Sequence, residues 1–124
     1  MSPSTLGLII FSVTLSAFAQ ICLKIGMSAH GVQKAISSSN VSGMAYAVLS
    51  NPAVVGGLAL YGFGAIVWLS VLARIDVSIA YPFVGISFLI TAALAVLILG
   101  EPISTPMIIG TSLVILGIVI LARG

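Results

Sequence analysis

Four unbroken apolar runs, near residues 5–27, 52–73, 78–99 and 106–122, constrain this 124-residue chain more than any other feature. A bilayer core of ~30 Å takes roughly 20 apolar residues as a helix, the length of these runs. Backbone polar groups find no water inside lipid, so a spanning segment is a helix or part of a closed barrel. Continuous rather than alternating apolarity excludes the barrel. The predicted fold is therefore an all-α membrane protein, with four transmembrane helices forming one domain over residues 1–124. Charged residues make up only 5% of the chain, and no soluble domain fits between the runs. As an N-terminal apolar stretch, the first run also resembles a secretion signal. It lacks a basic start and exceeds the usual ~7–15-residue apolar length, so it is expected to stay as a helix. The single cysteine, Cys22, has no partner in the chain for a disulfide and reads as a small apolar residue.

The longest connection, Ser28 to Asn51, contains "HGVQKAISSSNVSG" followed by "MAYAVLSNP". Gly31, the serine run and Gly43 point to a loop, with one or two helical turns over Met44 to Leu49 at the interface. The other links, "RIDVS" and "GEPISTP", are tight; Pro102 and Pro106 mark a turn and a helix start. Short links make neighbouring helices antiparallel and bring both termini to one side. Lys24 and Lys34 then face one side, and Arg74, Arg123 and the N-terminal amine face the other. Near-equal basic charge leaves two orientations open, one set by finer detail and a dual insertion in which the chain pairs with an inverted copy. Gly110 and Gly117, seven apart in the fourth run, share a face on which a second backbone can approach closely, so dimerisation is expected there. Gly56, Gly57, Gly62 and Gly64 of the second run carry no comparable signal.

Polar residues inside the runs mark candidate functional positions. Ser12, Ser16, Gln20 and Lys24 recur every four residues in the first run, so they form a stripe that faces protein or water. The serines alone are explained by bonds back to the preceding turn. An unpaired Gln20 amide in hydrocarbon would cost several kcal/mol and needs a partner. Lys24, about three residues from the end of its run, admits two readings: a side chain that snorkels to the interface, or a functional cation. In "VSIAYPFVGIS" Pro82 removes a backbone donor and bends the helix. Tyr81 beside it is either an interfacial anchor or a hydroxyl aimed into a cavity shared with Gln20. Glu101 reads most simply as a loop carboxylate, and Arg74 with Asp76 as a solvated pair. No nucleophile–base pair, metal-ligand cluster or phosphate-cradling glycine loop occurs; His30 is isolated. An enzyme, a resident cofactor and a nucleic-acid partner are not expected.

The segments "AQICLKIGM", "ARIDVSIAYPFVGIS", "LILGEPIS" and "IIGTSLVILGIVIL", in this order, resemble the drug/metabolite transporter superfamily, in the region of small multidrug resistance proteins and EamA-like domains. The resemblance spans nearly the whole chain. It implies a dimer or pseudo-dimer that moves a substrate by alternating access around a site between helices. Small multidrug exporters carry a membrane-embedded glutamate eight residues before the lysine, where this chain has Ser16, and a tryptophan after "AY", where it has Phe83 and Val84. Lacking an intramembrane carboxylate, the chain is poorly equipped for a proton or a cationic drug. Lys24 with Gln20 and Tyr81 favours an anion such as a phosphate. The "AQ…K", "IAYP" and "EP" pattern is similar to the paired flippase subunits for undecaprenyl-phosphate-linked aminoarabinose. That similarity implies a multi-pass protein of the bacterial inner membrane. It would form a homodimer or hetero-dimer and move a polyprenyl-phosphate-linked sugar, with Ser16, Gln20, Lys24, Tyr81 and Glu101 as the substrate-binding set and membrane lipid as its surroundings. Two alternatives remain from the residues: an exporter of small cations or metabolites that borrows a carboxylate from a partner, and a non-transporting subunit of a hetero-dimer.

Overall fold

The computed structural model describes residues 2–38 and 40–123; the N-terminal amine at Met1 and Ser39 of the serine run lie outside them. The described chain is all-helical: α1 (Pro3–Met27), α2 (His30–Ser37), α3 (Val41–Ser50), α4 (Pro52–Leu72), α5 (Val77–Ala80), a 3₁₀ turn (Tyr81–Phe83), α6 (Val84–Leu99) and α7 (Thr105–Ala122). Four stretches are long and apolar enough to cross a membrane: α1, α4, α7, and the segment Val77–Leu99 that joins α5, the 3₁₀ turn and α6. The expected all-α architecture with four spans is the one observed.

Three of the four spans, α1, α4 and α7, start on a side-chain cap, which settles donors a helix N-terminus leaves unpaired; the third, which follows Asp76, starts without one. Ser2 Oγ accepts from the Thr5 N–H at 3.2 Å, Asn51 Oδ1 from Ala53 and Val54 at 3.0 and 3.2 Å, and Ser104 Oγ from Met107 at 3.2 Å. Pro3 and Pro52 occupy the first helical position, where a missing N–H is harmless. Pro82 acts inside a span instead. It has no N–H to return to the Ser78 carbonyl, and the chain tightens into the 3₁₀ turn at Tyr81–Phe83 before α6 resumes. α6 ends at Gly100, whose left-handed backbone (φ 68°) lets the Gly100 and Glu101 N–H groups both donate to the Ala95 carbonyl.

In the link from Ser28 to Asn51 the helical turns expected over Met44 to Leu49 are present within the longer α3, whereas the stretch around Gly31, expected as a loop, is the short helix α2. Gly31 lies in the first turn of α2, where glycine interrupts little. Gln33 Nε2 donates to the Met27 carbonyl at 2.6 Å and Val32 is fully buried, so α2 is tied to the end of α1. Asn40 caps α3 by accepting from Ser42 and Gly43. α3 buries none of its residues; Val41, Tyr46 and Leu49 stay exposed, as suits an uncharged helix between two spans at the membrane surface.

α1 and α4 form the tightest helix pair, and glycine is the reason. A Cβ on Gly57 would lie 3.1 Å from the Ala19 carbonyl oxygen and 2.9 Å from Leu23 Cγ, and one on Gly64 would lie 3.5 Å from the Ser12 carbonyl oxygen. On α1, Gly26 allows the same approach, since a Cβ there would lie 2.7 Å from the Val54 nitrogen. Helices in lipid gain no hydrophobic drive from association, so close backbone packing and interhelical hydrogen bonds hold them together. Ser12 Oγ supplies one such bond, donating to the Gly64 carbonyl at 2.8 Å, and Phe11 meets Phe63 edge-on at 6.2 Å between ring centres. The glycines at 57 and 64, which carry no signal in sequence, are thus packing positions. Gly57→Leu is expected to lower stability in detergent by about 1–3 kcal/mol through overpacking. A thermal melt that matches the unchanged protein would show that α1 and α4 do not pack this closely.

A small core of Ile9, Val13, Val71, Ala80 and Phe83 closes the end near Arg74, with Trp68, Ile86 and Ile118 packed around it. α7 is the least covered span, with none of its residues buried. It touches α6 where Gly85 lets Ile118 and Val114 approach.

Candidate functional site

The polar stripe of α1 does not run straight. Four residues advance an α-helix by about 400°, so each step turns roughly 40° beyond a full rotation. Ser12 is buried against α4, Ser16 is half-buried, and Gln20 and Lys24 are exposed. The drift divides the candidate residues between two hollows.

The first hollow, about 210 Å³, lies at mid-membrane between α1, α4 and the Tyr81 end of the third span. Ser12 and Ser16 form its α1 wall, Tyr61, Gly64, Ala65 and Trp68 its α4 wall, and Tyr81, Val84 and Ser87 the remaining side. Hydroxyls and aromatic rings line it, and no charged side chain does. Such a wall hydrogen-bonds a neutral polyol and packs its C–H face on electron-rich ring faces. Tyr61 and Trp68 were not singled out in sequence. Their seven-residue spacing, which puts both on one face of α4, was the available signal.

The second hollow, about 650 Å³, opens at the membrane surface where α1 ends and the α6–α7 link begins. Lys24, Ile25 and Ser28 line one wall, and Leu99, Glu101 and Pro102 the other. A cation and a carboxylate distant in sequence therefore share one space. The Pro82 turn and the left-handed Gly100 create this meeting, because together they set the length of the third span and the direction of its exit. Lys24 lies eight residues beyond Ser16, about 12 Å along the axis at ~1.5 Å per residue.

The structure thus joins Ser16 with Tyr81, and Lys24 with Glu101. Gln20 lines neither hollow and is exposed on α1 between them. Gly110 and Gly117 are open, with nothing within 4 Å of a Cβ built on either. Among the described residues no cluster of His, Cys, Asp and Glu is placed to hold a metal ion.

The sequence pattern of the EamA-like transporter family matches residues 47–123. The probable 4-amino-4-deoxy-L-arabinose-phosphoundecaprenol flippase subunit ArnE of Enterobacter sp. (strain 638) is 32% identical over 114 residues, 92% of each chain. The ArnE of the same description from Pseudomonas syringae pv. syringae is 36% identical over 66 residues, 53% of this chain and 61% of the relative. Protein y4nH of Sinorhizobium fredii, described as uncharacterized, is 36% identical over 74 residues, 59% of this chain and 63% of its own. The chain thus spans about three fifths of the Pseudomonas syringae and Sinorhizobium relatives and nearly all of the Enterobacter one. No solved structure matches it.

Proposed function

The chain belongs to the EamA-like transporter family, and on that premise we propose that it is a flippase subunit moving a polyprenyl-phosphate-linked sugar across the bacterial inner membrane. The observation that carries this reading is the surface hollow shared by Lys24 and Glu101. Lys24 receives the phosphate through charge-assisted hydrogen bonds. Relatives are named for a 4-amino sugar, and an ammonium on the sugar pairs with Glu101 across the same hollow. The mid-membrane cavity with Ser16 and Tyr81 is the next station, where the sugar leaves water while its hydroxyls stay hydrogen-bonded. Gln20, on the face between the two stations, offers an amide to the passing headgroup.

Two subunits complete the transporter, identical or similar in sequence, and they meet along α7. A Cβ built on Gly110 or Gly117 meets no atom within 4 Å, and no residue of α7 is buried. Close backbone packing of small residues is the usual basis of such an interface in lipid.

One native mass spectrum, taken from protein released gently with its membrane lipids, tests both parts. The expected species is a dimer carrying a polyprenyl phosphate, and the Gly110→Leu/Gly117→Leu double variant is expected to appear as a monomer. Retention of ordinary phospholipids alone would sink the substrate reading, and an unchanged dimer in the double variant would rule out α7 as the interface.

A further inference from the structure

α6 and α7 diverge from a close contact toward an open mouth. They touch at Gly85, where a Cβ would lie 2.8 Å from Ile118 Cδ1. At the other end the non-helical residues 100–104 hold them apart. The space between them is a groove of about 430 Å³, lined by Ala92, Ala93, Val96 and Leu97 on one side and Ile103 and Met107 on the other. The groove is largely apolar: of the two hydroxyls on its wall, Ser112 already donates to the Ile108 carbonyl at 2.8 Å, leaving Thr111 as the one hydroxyl not so engaged.

This groove and the headgroup hollow have no lining residue in common, but both are built on the end of α6 and the link that follows it. Leu97 and Ile103 line the groove, while Leu99, Glu101 and Pro102, interleaved with them along the chain, line the hollow. A lipid whose phosphate sits at Lys24 has its tail leaving at the mouth of the groove. We propose that the α6–α7 groove seats the first isoprene units of the transported lipid. The proposal rests on the reading of the Lys24–Glu101 hollow as the headgroup site.

Size and direction select this occupant. Along α6 the lining runs from Leu97 back to Leu89, eight residues or about 12 Å at ~1.5 Å per residue, a channel for a few five-carbon isoprene units. A second subunit on the Gly110–Gly117 face lies elsewhere: at about 100° per residue, Met107 and Thr111 sit roughly 60–100° around α7 from Gly110, whereas Gly117 sits within about 20° of it. A tail gains no hydrophobic drive in passing from lipid to this groove. It gains close contacts, each worth little and summing over a few carbons. The groove therefore orients the tail and reads its first units, not its full length.

Binding of geranyl, farnesyl and undecaprenyl phosphate to the protein in phosphatidylcholine nanodiscs tests this, together with a farnesyl phosphate carrying a photoreactive group in its tail. Farnesyl phosphate is expected to bind about fivefold more tightly than geranyl phosphate and within about twofold of undecaprenyl phosphate. Crosslinks are expected at Ala93, Val96 and Met107. Leu97→Trp narrows the mouth at a side chain that is 80% exposed, so packing survives. It is expected to erase the chain-length step by weakening farnesyl and undecaprenyl phosphate most, while the binding that remains still depends on Lys24. Three results overturn the groove while the headgroup reading stands, provided binding still depends on Lys24. They are affinities independent of chain length, crosslinks spread over lipid-facing residues such as Ile66 and Leu69 of α4, and a groove that crosslinks to the partner subunit. Phosphate binding that ignores Lys24 removes the headgroup reading and the groove with it.

Discussion

Lys24→Ala is expected to weaken binding of a polyprenyl phosphate by about tenfold to a hundredfold. The figure follows from losing one charge-assisted hydrogen bond of roughly 1.5–3 kcal/mol, at ~1.4 kcal/mol per decade of affinity. Lys24 is exposed at the hollow, and solvent screening puts the expected loss nearer the lower end. Lys24→Arg keeps the charge and is expected to retain most of the affinity. Glu101 on the facing wall makes a second comparison informative. Glu101→Gln removes a carboxylate that repels phosphate, so binding of an unsubstituted polyprenyl phosphate is expected to stay level or tighten. A titration with folded variants in nanodiscs measures all three. If Lys24 merely snorkels to the interface, the alanine variant binds like the unchanged protein, and Lys24 leaves the site.

Expression of the protein is expected to confer no resistance to quaternary-ammonium compounds, and the purified protein should not drive ethidium against a gradient with protons. The reason is local. Ser16 lines the mid-membrane cavity with Tyr81 and Trp68, and none of the cavity's lining residues is acidic. The chain's two carboxylates, Asp76 and Glu101, lie in the links that flank the third span. Exchange of a proton for a cation within lipid needs a group that takes either charge partner in turn, and hydroxyls cannot do so. Aromatic faces can hold a quaternary ammonium, but they take up no proton in exchange and so cannot couple its movement to a proton gradient. Robust proton-coupled ethidium transport by the purified protein would contradict this and restore the exporter reading.

The four spans were legible in the sequence because lipid imposes a requirement on each segment separately. Twenty apolar residues with paired backbone groups make a spanning helix whatever surrounds it. Prolines were legible for the same local reason: Pro106 marks where α7 begins, and Pro82 marks where the third span is disturbed. Family resemblance likewise rests on short segments read in order.

Only the tertiary structure decided which polar residues share a space. A four-residue repeat looks like one face on paper, yet it turns about 40° per step. Ser12 therefore serves the α4 contact, Ser16 faces the cavity with Tyr81, and Lys24 reaches the surface beside Glu101. That last pairing joins positions 24 and 101 through the lengths and directions of the helices from α2 to α6, which no local pattern records. The glycines make the same point. Gly57 and Gly64 have the same seven-residue spacing as Gly110 and Gly117, yet the first pair meets α1 and the second pair meets open space. Spacing places residues on a common face, and packing alone determines what that face meets.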